Sequence, residues 1–192
     1  MKMPTILRAR LQDTTIELLV GDITLQDTDA IVNAANSSLL GGGGVDGAVH
    51  RAAGPDLLAE TLTLGGCPTG DARISRGYRL KARYVIHAVG PIYRPGDPSV
   101  APLLASAHHR SLEIAAEHGL TSIAFPAIST GIYGYPLAEA APIALGTTIA
   151  CLRDASSLRL VRFVLFSDAA FDAYAASLTA LAQRETDLTP LA

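Results

Sequence analysis

The chain has 192 residues, of which 49% are hydrophobic and 17% are charged, and its formal net charge is −3. This length fits one domain, residues 1–192, with a core large enough to need no disulfide or metal to hold it together. A net negative charge excludes the broad basic field by which many proteins hold nucleic acid through its phosphates. Any phosphate bound here must therefore be held locally, by backbone N–H groups and helix ends.

Short apolar runs alternate along the chain with longer segments of helical periodicity. The apolar runs predict strands at residues 16–20, 30–32, 73–75, 84–89, 122–125 and 160–166. The helical segments predict helices at residues 47–53, 55–64, 99–118, 137–152 and 168–183. Pro142 is expected to disturb the fourth helix unless it lies in the first turn. Apolar strands joined through helices are typical of a mainly parallel sheet covered on both faces, which is an α/β sandwich.

Four loops that follow predicted strands have unusual sequences. They are residues 21–24, 33–47, 90–97 and 129–134. In open α/β sheets, ligands bind beyond the carboxyl ends of the strands, so these loops are expected to share one site. Two of them are of a phosphate-binding type, and a ligand with two phosphates and a group at each end would use all four.

The segment NAANSSLLGGGGVDGAVHRAAG, residues 33–54, contains two carboxamides, four consecutive glycines and the carboxylate of Asp46. Consecutive glycines offer bare N–H groups that can surround an anion, and the helix start that follows adds its positive end. A flexible linker is the alternative, but linkers are Gly/Ser mixtures without flanking apolar strands. Neither GGGGVDG nor STGIYG has the spacing of a Walker or Rossmann loop, so the pattern indicates phosphate without naming the ligand.

The two cysteines, Cys67 and Cys151, lie far apart in sequence, with no CxxC pattern and no histidine at ligand spacing. The usual zinc frameworks are therefore excluded and a disulfide scaffold is disfavoured, and we expect neither a metal nor another cofactor. The amino-terminal residues lack the apolar segment of a signal peptide, and no apolar run reaches membrane-spanning length. We therefore expect a cytoplasmic location and no membrane partner.

Six separated motifs resemble those of macrodomains, specifically the MacroD-type branch, and the resemblance covers residues 17–166. In chain order they are GDIT, IVNAAN, GGGGVDGAVHRAAGP, CPTGDA, YVIHAVGP and FPAISTGIYGYP. The resemblance implies an α/β/α sandwich around a mixed, mainly parallel sheet that binds ADP-ribose. It also implies metal-independent hydrolysis of ADP-ribose esters, on acidic side chains of proteins or in O-acetyl-ADP-ribose. ADP-ribosylated nucleic-acid ends are a further acceptor left open.

The resemblance also implies a role for each matching residue. Asp22 is expected to accept a hydrogen bond from the adenine amino group beside a backbone contact from Ile23, and Phe166 is expected to stack on adenine. Asp46 is expected to be the catalytic carboxylate, and Asn36, the carboxamide closer to the distal ribose, is expected to be the second catalytic residue. The other implied contacts, to the distal ribose and the diphosphate, are Asn33, Gly43, Gly44, Val45, Ser129, Thr130, Gly131, Ile132 and Tyr133.

Several of these residues have a structural alternative. Asp22 could cap a turn, and Phe166 could belong to the core. One of the two asparagines is expected to be a turn former that tolerates left-handed φ, and Asn33 is favoured over Asn36 for that part.

The remaining polar candidates are expected to be structural. His87 lies within an apolar strand, while His50 could be a base but is more simply a packed or capping residue. His108 and His109 are expected on a solvated helix face, and Cys67 has no base nearby in sequence.

Two functions stay open at this point: an ADP-ribosyl-ester hydrolase and a module that binds ADP-ribose without cutting it. Asp46 separates them, because a binding module needs the phosphate loops but no carboxylate beside the distal ribose. A dinucleotide-dependent oxidoreductase is disfavoured by the missing Rossmann spacing. Ester hydrolysis needs an activated water, and either Asp46 or a phosphate oxygen of the substrate could activate it.

Overall fold

An eight-stranded sheet forms the centre of the protein in a computed structural model that describes residues 6–154 and 156–191. Within these residues the strands are β1 Ile6–Leu11, β2 Thr14–Val20, β3 Ala30–Ala34, β4 Ala72–Arg76, β5 Tyr84–Ala88, β6 Ser122–Phe125, β7 Leu160–Leu165 and β8 Leu188–Leu191. The helices in the same ranges are α1 Gly44–Ala53, α2 Pro55–Thr63, α3 Val100–Glu117, α4 Leu137–Arg153 and α5 Asp168–Arg184.

The strand order is β4-β5-β3-β6-β7-β2-β1-β8. The five central strands, β5, β3, β6, β7 and β2, are parallel to one another. At the edges, β4 pairs with β5 and β1 pairs with both β2 and β8, all in antiparallel fashion. The expected mixed, mainly parallel sheet is therefore confirmed.

Helices cover the sheet on both faces and give it two apolar cores. Helices α3, α4 and α5 pack side by side on one face, and α1 and α2 pack together on the other. Successive residues of a strand point to opposite faces, so Ile31 joins the α1–α2 core while Val32 joins the larger α3–α5 core. Both residues are fully buried, which explains why the central strands read as continuous apolar runs.

The six predicted strands and five predicted helices are present, but the sequence analysis missed β1 and β8. In β1 the buried residues Ala9 and Leu11 alternate with exposed arginines, which is the period-2 signal of a half-buried strand. The short strand β8 contains Pro190, and proline within a strand is tolerated at the edge of a sheet, where β8 lies.

Two helices depart from expectation in detail. Helix α1 begins at Gly44 rather than Gly47, so the end of the glycine run forms its first turn. Helix α4 continues to Arg153 although Pro142 lies in its second turn, where the proline removes one helical hydrogen bond. None of the helices in the described residues is long and apolar enough to cross a membrane.

Candidate functional site

A cleft with two adjoining chambers lies at the carboxyl edge of the parallel strands. The first, which we call the Asp46 chamber, has a volume of about 180 Å³. The second, which we call the Asp22 chamber, has a volume of about 460 Å³. Four residues line both chambers and form the wall between them: Gly44, Val45, Ala127 and Gly131. A ligand that fills both chambers must therefore pass over the start of α1.

All four loops predicted to share a site contribute to this cleft. Of the predicted site residues, those that line the Asp46 chamber are Asn36, Gly43, Gly44, Val45, Asp46, Ser129, Gly131, Ile132 and Tyr133. Those that line the Asp22 chamber are Asp22, Ile23, Gly44, Val45, Thr130, Gly131 and Phe166. Among the predicted residues only Asn33 lines neither chamber, because it is fully buried behind the first.

The glycine run brings a helix start into the cleft. Gly43 is the N-cap residue of α1 and supplies no side-chain cap, so the first N–H groups of the helix stay available on the shared wall. Gly44 has φ +58°, a left-handed value that disfavours a side chain. At Gly42 an added Cβ would lie 3.1 Å from Oδ2 of Asp46. The wall between the chambers thus combines free backbone donors with the positive end of α1, which suits an anion.

Asp46 lies in the first turn of α1 and is only 4% exposed. Its Oδ1 accepts a 2.7 Å hydrogen bond from Nδ2 of Asn33, and Nε2 of His50 lies 3.5 Å from the same oxygen. Within the described residues its Oδ2 has no hydrogen-bond partner. Burial raises the pKa of Asp46, and the Asn33 hydrogen bond and the His50 imidazole offset part of that rise. One oxygen is therefore held in place while the other is left to accept a proton.

A hydrogen-bonded chain behind Asp46 fixes the orientation of Asn33. Nδ2 of Asn33 also lies 3.1 Å from Nδ1 of His87, and because an amide nitrogen only donates, Nδ1 must be the acceptor. His87 is neutral, since burial lowers its pKa to about 3, so its proton is on Nε2. That nitrogen then donates to Oγ of Ser75 at 2.8 Å. His87 is therefore the buried, hydrogen-bonded core histidine that was expected. It also orients Asn33, which in turn orients Asp46.

The turn-forming role that the sequence favoured for Asn33 belongs to Asn36 instead. Asn33 lies within β3 and is not a turn former. Asn36 instead shapes the turn: its Nδ2 donates to the Gly41 carbonyl at 3.0 Å, and its Oδ1 accepts from the Ser38 N–H at 3.1 Å. Neither has a left-handed φ, which in this turn belongs to Leu39. The prediction that Asn36 contacts a ribose stays a prediction, and Asn36 does line the Asp46 chamber.

Ser129 is the strained residue of the cleft. It has φ +67°, is 6% exposed, and its Oγ has no hydrogen-bond partner in the part of the chain that the structure describes. A side chain on Gly90 would collide with that Oγ. The sequence analysis placed Gly90 at the start of one of the four site loops without giving it a role, whereas in the structure its missing side chain leaves the space that Ser129 occupies. A left-handed non-glycine residue with an unsatisfied hydroxyl is typical of a ligand-binding position.

Two exposed side chains, Asp22 and Phe166, line the Asp22 chamber. Asp22 caps the 3₁₀ turn Ile23–Leu25, with Oδ1 accepting from the Thr24 N–H at 2.8 Å and the Thr24 hydroxyl at 2.7 Å. The same residue lines the chamber, so it is a turn cap that also faces a ligand space. Phe166 is 90% exposed and follows β7, which excludes the core alternative.

The sequence analysis missed the charged residue Arg51 of this chamber. Arg51 lines it together with Val45 and Ala48. Their spacing of three residues places all three on one face of α1. That periodicity was readable in the sequence once the helix start was known.

The other candidates divide into one correction and several confirmations. The prediction that His108 lies on a solvated helix face is wrong. Its side chain is fully buried and stacks on Phe125 with ring centroids 5.4 Å apart. The helical period places it one turn after the core residue Leu104, whose carbonyl lies 2.9 Å from His108 Nδ1. His109 is exposed as expected. Cys67 is buried, which raises the pKa of its thiol to about 11 and fits a structural role. Within residues 6–154 and 156–191, no three His, Cys, Asp or Glu side chains are grouped to bind a metal ion.

Comparison with known proteins places these features in a family. The sequence model of the Macro domain matches residues 32–144. A Macro domain-containing protein of Chlorobaculum tepidum is 54% identical over 165 residues, which are 86% of this chain and 96% of that protein. The ADP-ribose glycohydrolase MACROD2 of Xenopus laevis is 54% identical over 156 residues, 80% of this chain but 37% of that longer protein.

Solved structures agree with the sequence matches. The Oceanobacillus iheyensis macrodomain with ADP superposes with a TM-score of 0.91 at 44% identity, covering 95% of this chain and all of that one (100%). The Trypanosoma brucei macrodomain in complex with ADP-ribose superposes with a TM-score of 0.78 at 46% identity, covering 83% of this chain and 67% of that one.

Proposed function

The chain belongs to the Macro domain family, and from that premise we propose that it binds ADP-ribose and hydrolyses ADP-ribose esters. The esters are those on acidic side chains of proteins and in O-acetyl-ADP-ribose. The observation that carries this proposal is the buried Asp46, with one oxygen held by Asn33 and the other free, at the wall of a chamber beside a helix start.

The two chambers fit the two ends of such a ligand. The larger Asp22 chamber offers a carboxylate acceptor for an adenine amino group and the exposed ring of Phe166 for stacking. The wall shared by both chambers offers the free N–H groups of α1 to the diphosphate. The Asp46 chamber, with about 180 Å³, takes the distal ribose and leaves the acyl group at its mouth. The ligands named for the related Oceanobacillus and Trypanosoma structures support this assignment.

In the proposed reaction, Asp46 acts as a general base toward one water molecule. As the water oxygen bonds to the acyl carbon of the ester, a water proton passes to Oδ2 of Asp46. The carbonyl electron pair moves onto oxygen and then returns, which breaks the bond between the acyl carbon and the ribose oxygen. The proton on Asp46 passes to that ribose oxygen. The products are a carboxylic acid and free ADP-ribose, and Asp46 is regenerated as the carboxylate.

The raised pKa of Asp46 supports this role. An ordinary aspartate is a weak base near neutral pH, and a buried one holds a proton more strongly. The negative diphosphate on the neighbouring wall would raise the pKa further. The hydrogen bond from Asn33 keeps the acceptor oxygen pointed in one direction, which reduces the cost of reaching the reactive geometry.

The proposal is tested by measuring free ADP-ribose released from three substrates. They are O-acetyl-ADP-ribose, a protein carrying ADP-ribose on Asp or Glu, and a nucleic acid carrying it on a terminal phosphate. We expect turnover of at least one ester, undiminished by an excess of chelator. Loss of activity in EDTA that one divalent ion restores would contradict the mechanism. Binding without turnover on any substrate would identify a module that reads ADP-ribose.

Calorimetry tests the fit of the ligand independently of catalysis. ADP-ribose should bind much more tightly than AMP, because AMP leaves the Asp46 chamber unfilled. Equal affinity for the two would mean that the cleft is not used as a whole.

A further inference from the structure

Each of the five parallel strands is followed by a loop that carries one large, exposed apolar side chain. In sheet order from β5 to β2 these are Ile92, Leu40, Ile132, Phe166 and Leu25, with exposures of 56, 47, 85, 90 and 64%. We call these five side chains the apolar rim. Single exposed apolar residues are ordinary on protein surfaces. One on every loop that follows a parallel strand lines the edge of the sheet at which the cleft opens, and exposed apolar side chains in such numbers at one site are typical of a binding surface.

The apolar rim has two halves that follow the two chambers. Ile132 lines the Asp46 chamber, and the loops that carry Leu40 and Ile92 line it through Gly42 and Gly90. The loops that carry Phe166 and Leu25 line the Asp22 chamber. The first half therefore surrounds the end of the cleft at which the proposed ester bond lies.

The loops of Ile92 and Ile132 are joined to each other. The N–H of Tyr93 donates to the Tyr133 carbonyl at 2.8 Å. The ring of Tyr93 packs on that of Tyr135, with centroids 4.8 Å apart, and its hydroxyl donates to the Glu139 carboxylate at 3.1 Å. These contacts fix the two loops that carry Ile92 and Ile132, so little conformational entropy is lost when a partner covers these side chains.

We propose that Leu40, Ile92 and Ile132 are the docking surface for the polypeptide that carries the ADP-ribose ester. This inference rests on the proposed function, since the ester joins the acceptor to the distal ribose and the acceptor must leave the cleft across this half of the rim. The three side chains are apolar and the chain carries a net charge of −3. A nucleic-acid acceptor would instead need an excess of cations around the mouth, whereas the loop of Ile92 carries one cation, Arg94, beside one anion, Asp97. The balanced charge and the apolar side chains of the rim therefore favour a polypeptide.

The test compares a large and a small acceptor on the same variant. The double variant Leu40→Ser/Ile92→Ser removes two rim side chains that line neither chamber. We expect its kcat/KM on an Asp- or Glu-ADP-ribosylated protein to fall about tenfold, through KM, which is typical of losing apolar contacts at an interface. Turnover of O-acetyl-ADP-ribose, whose acyl group is too small to reach the rim, should stay within about twofold.

A matched control removes two exposed leucines elsewhere. The variant Leu58→Ser/Leu62→Ser alters α2, which contributes no residue to either chamber, and it should leave both substrates unaffected. Equal losses on both substrates in the rim variant, or no loss on the protein substrate, would overturn the proposal. So would a selective loss on ADP-ribosylated nucleic-acid ends, or self-association of the native protein that the same substitutions abolish.

A binding measurement separates failure of this inference from failure of the proposed function. If the native protein cleaves no ester, the hydrolase proposal fails, but the rim can still be tested by affinity. An ADP-ribosylated peptide should then bind more tightly than free ADP-ribose, and Leu40→Ser/Ile92→Ser should remove that difference. An unchanged ratio of the two affinities would contradict the docking surface.

Discussion

The two edges of the parallel sheet are built in opposite ways. At the amino edge, Asp29 precedes β3 and its Oδ2 accepts from the N–H and hydroxyl of Thr121 and from the Ser122 N–H, at 2.8, 2.9 and 3.1 Å. Its Oδ1 accepts from Arg83 at 2.9 Å. This one carboxylate therefore ties together the starts of β3, β5 and β6.

The carboxyl edge leaves its polar atoms open. Four buried side-chain atoms there, Asn33 Oδ1, Asp46 Oδ2, His50 Nε2 and Ser129 Oγ, have no hydrogen-bond partner among the described residues. Ser129 is left-handed and the apolar rim is exposed at the same edge. An unsatisfied buried polar atom destabilises the fold, and two of these atoms, Asp46 Oδ2 and Ser129 Oγ, belong to residues that line the cleft, where a ligand can complete their bonding.

The pKa values of the two aspartates show the same difference. Burial raises the pKa of Asp29, but hydrogen bonds from Thr121, Arg83 and Ser122 outweigh it and lower the value to about 2. At Asp46 burial prevails, and the pKa is raised. One edge of the sheet therefore stabilises its ionised carboxylate, and the other makes its carboxylate a stronger base.

The largest expected effect comes from removing the reactive carboxylate. Asp46→Ala should lower ester hydrolysis by about 10²–10⁴-fold, the range for a positioned general base. ADP-ribose should still bind, because the helix start and the Asp22 chamber are unchanged and one negative charge near the diphosphate is gone. Single-turnover hydrolysis and calorimetry on the same preparation check both points. Near-native turnover would mean that a substrate phosphate oxygen activates the water.

The next effect tests the support behind that carboxylate. His87→Leu removes the acceptor that orients Asn33, and kcat should fall by up to about 10²-fold while ADP-ribose affinity is kept. Because the Asn33 hydrogen bond lowers the pKa of Asp46, its loss should also move the acid limb of the pH–rate profile to higher pH. His87→Asn keeps an acceptor near the position of Nδ1 and should restore most of the rate. A uniform loss in both variants, with the pH profile unmoved, would make His87 a packing residue only.

The stabilising edge is tested by thermal and denaturant unfolding. Asp29→Ala leaves two backbone N–H groups without their acceptor and should destabilise the fold by about 2–3 kcal/mol, with turnover per folded molecule unchanged. The carboxylate has a lowered pKa, so its contribution is present above about pH 4 and is lost as the pH falls toward about 2. The difference between native and variant should therefore shrink over that range. A difference independent of pH would exclude the charge as its cause.

A smaller loss, of ADP-ribose affinity, is expected from a substitution in the Asp22 chamber. Asp22→Ala should weaken ADP-ribose binding by about 1–2 kcal/mol, since the lost hydrogen bond involves a charged but exposed acceptor. Thr24→Val is the matched control, because it removes a hydroxyl that Asp22 accepts from and leaves the carboxylate in place. If both variants bind as the native protein does, Asp22 is a turn cap and adenine lies elsewhere.

The smallest effect has the opposite sign. Asp46→Asn removes a buried charge while keeping a carbonyl oxygen that can accept from Asn33. Since the pKa of Asp46 is raised, its ionised form destabilises the fold above that pKa, and the variant should have a higher Tm than the native protein near neutral pH. The gain should vanish at low pH, where Asp46 is protonated in both states. A lower Tm of the variant at neutral pH would contradict the claim that the buried, ionised Asp46 destabilises the fold.

Much of this arrangement was readable in the sequence. The parallel strands, the glycine run and the carboxylate that follows it are predicted by local patterns, and all the residues expected to bind ligand except Asn33 line one cleft. The macrodomain resemblance named the ligand, which the spacing of the residues alone did not.

The features of the site that the sequence did not predict depend on contacts between segments that lie far apart in the chain. Asn33 is held by His87, which is 54 residues away, because β3 and β5 are neighbours and place these two residues in register. No local pattern shows that pairing, so Asn33 was assigned to a turn. The fit of Ser129 against Gly90 was missed for the same reason. The burial of His108 could have been predicted, because the helical period places it one turn after Leu104.

The wall that the two chambers share has a consequence for fragments of the ligand. A nucleotide fragment and a sugar phosphate fragment would each fill one chamber, but both would use the N–H groups at the start of α1, between Gly44 and Val45. The two fragments therefore compete at the wall although their other parts do not overlap. When a diphosphate joins them, the second half binds at the effective concentration set by a short tether, and the competition disappears. The cleft should therefore bind a dinucleotide-like molecule much more tightly than it binds either half alone. Mononucleotides in a cell would then compete only weakly for it.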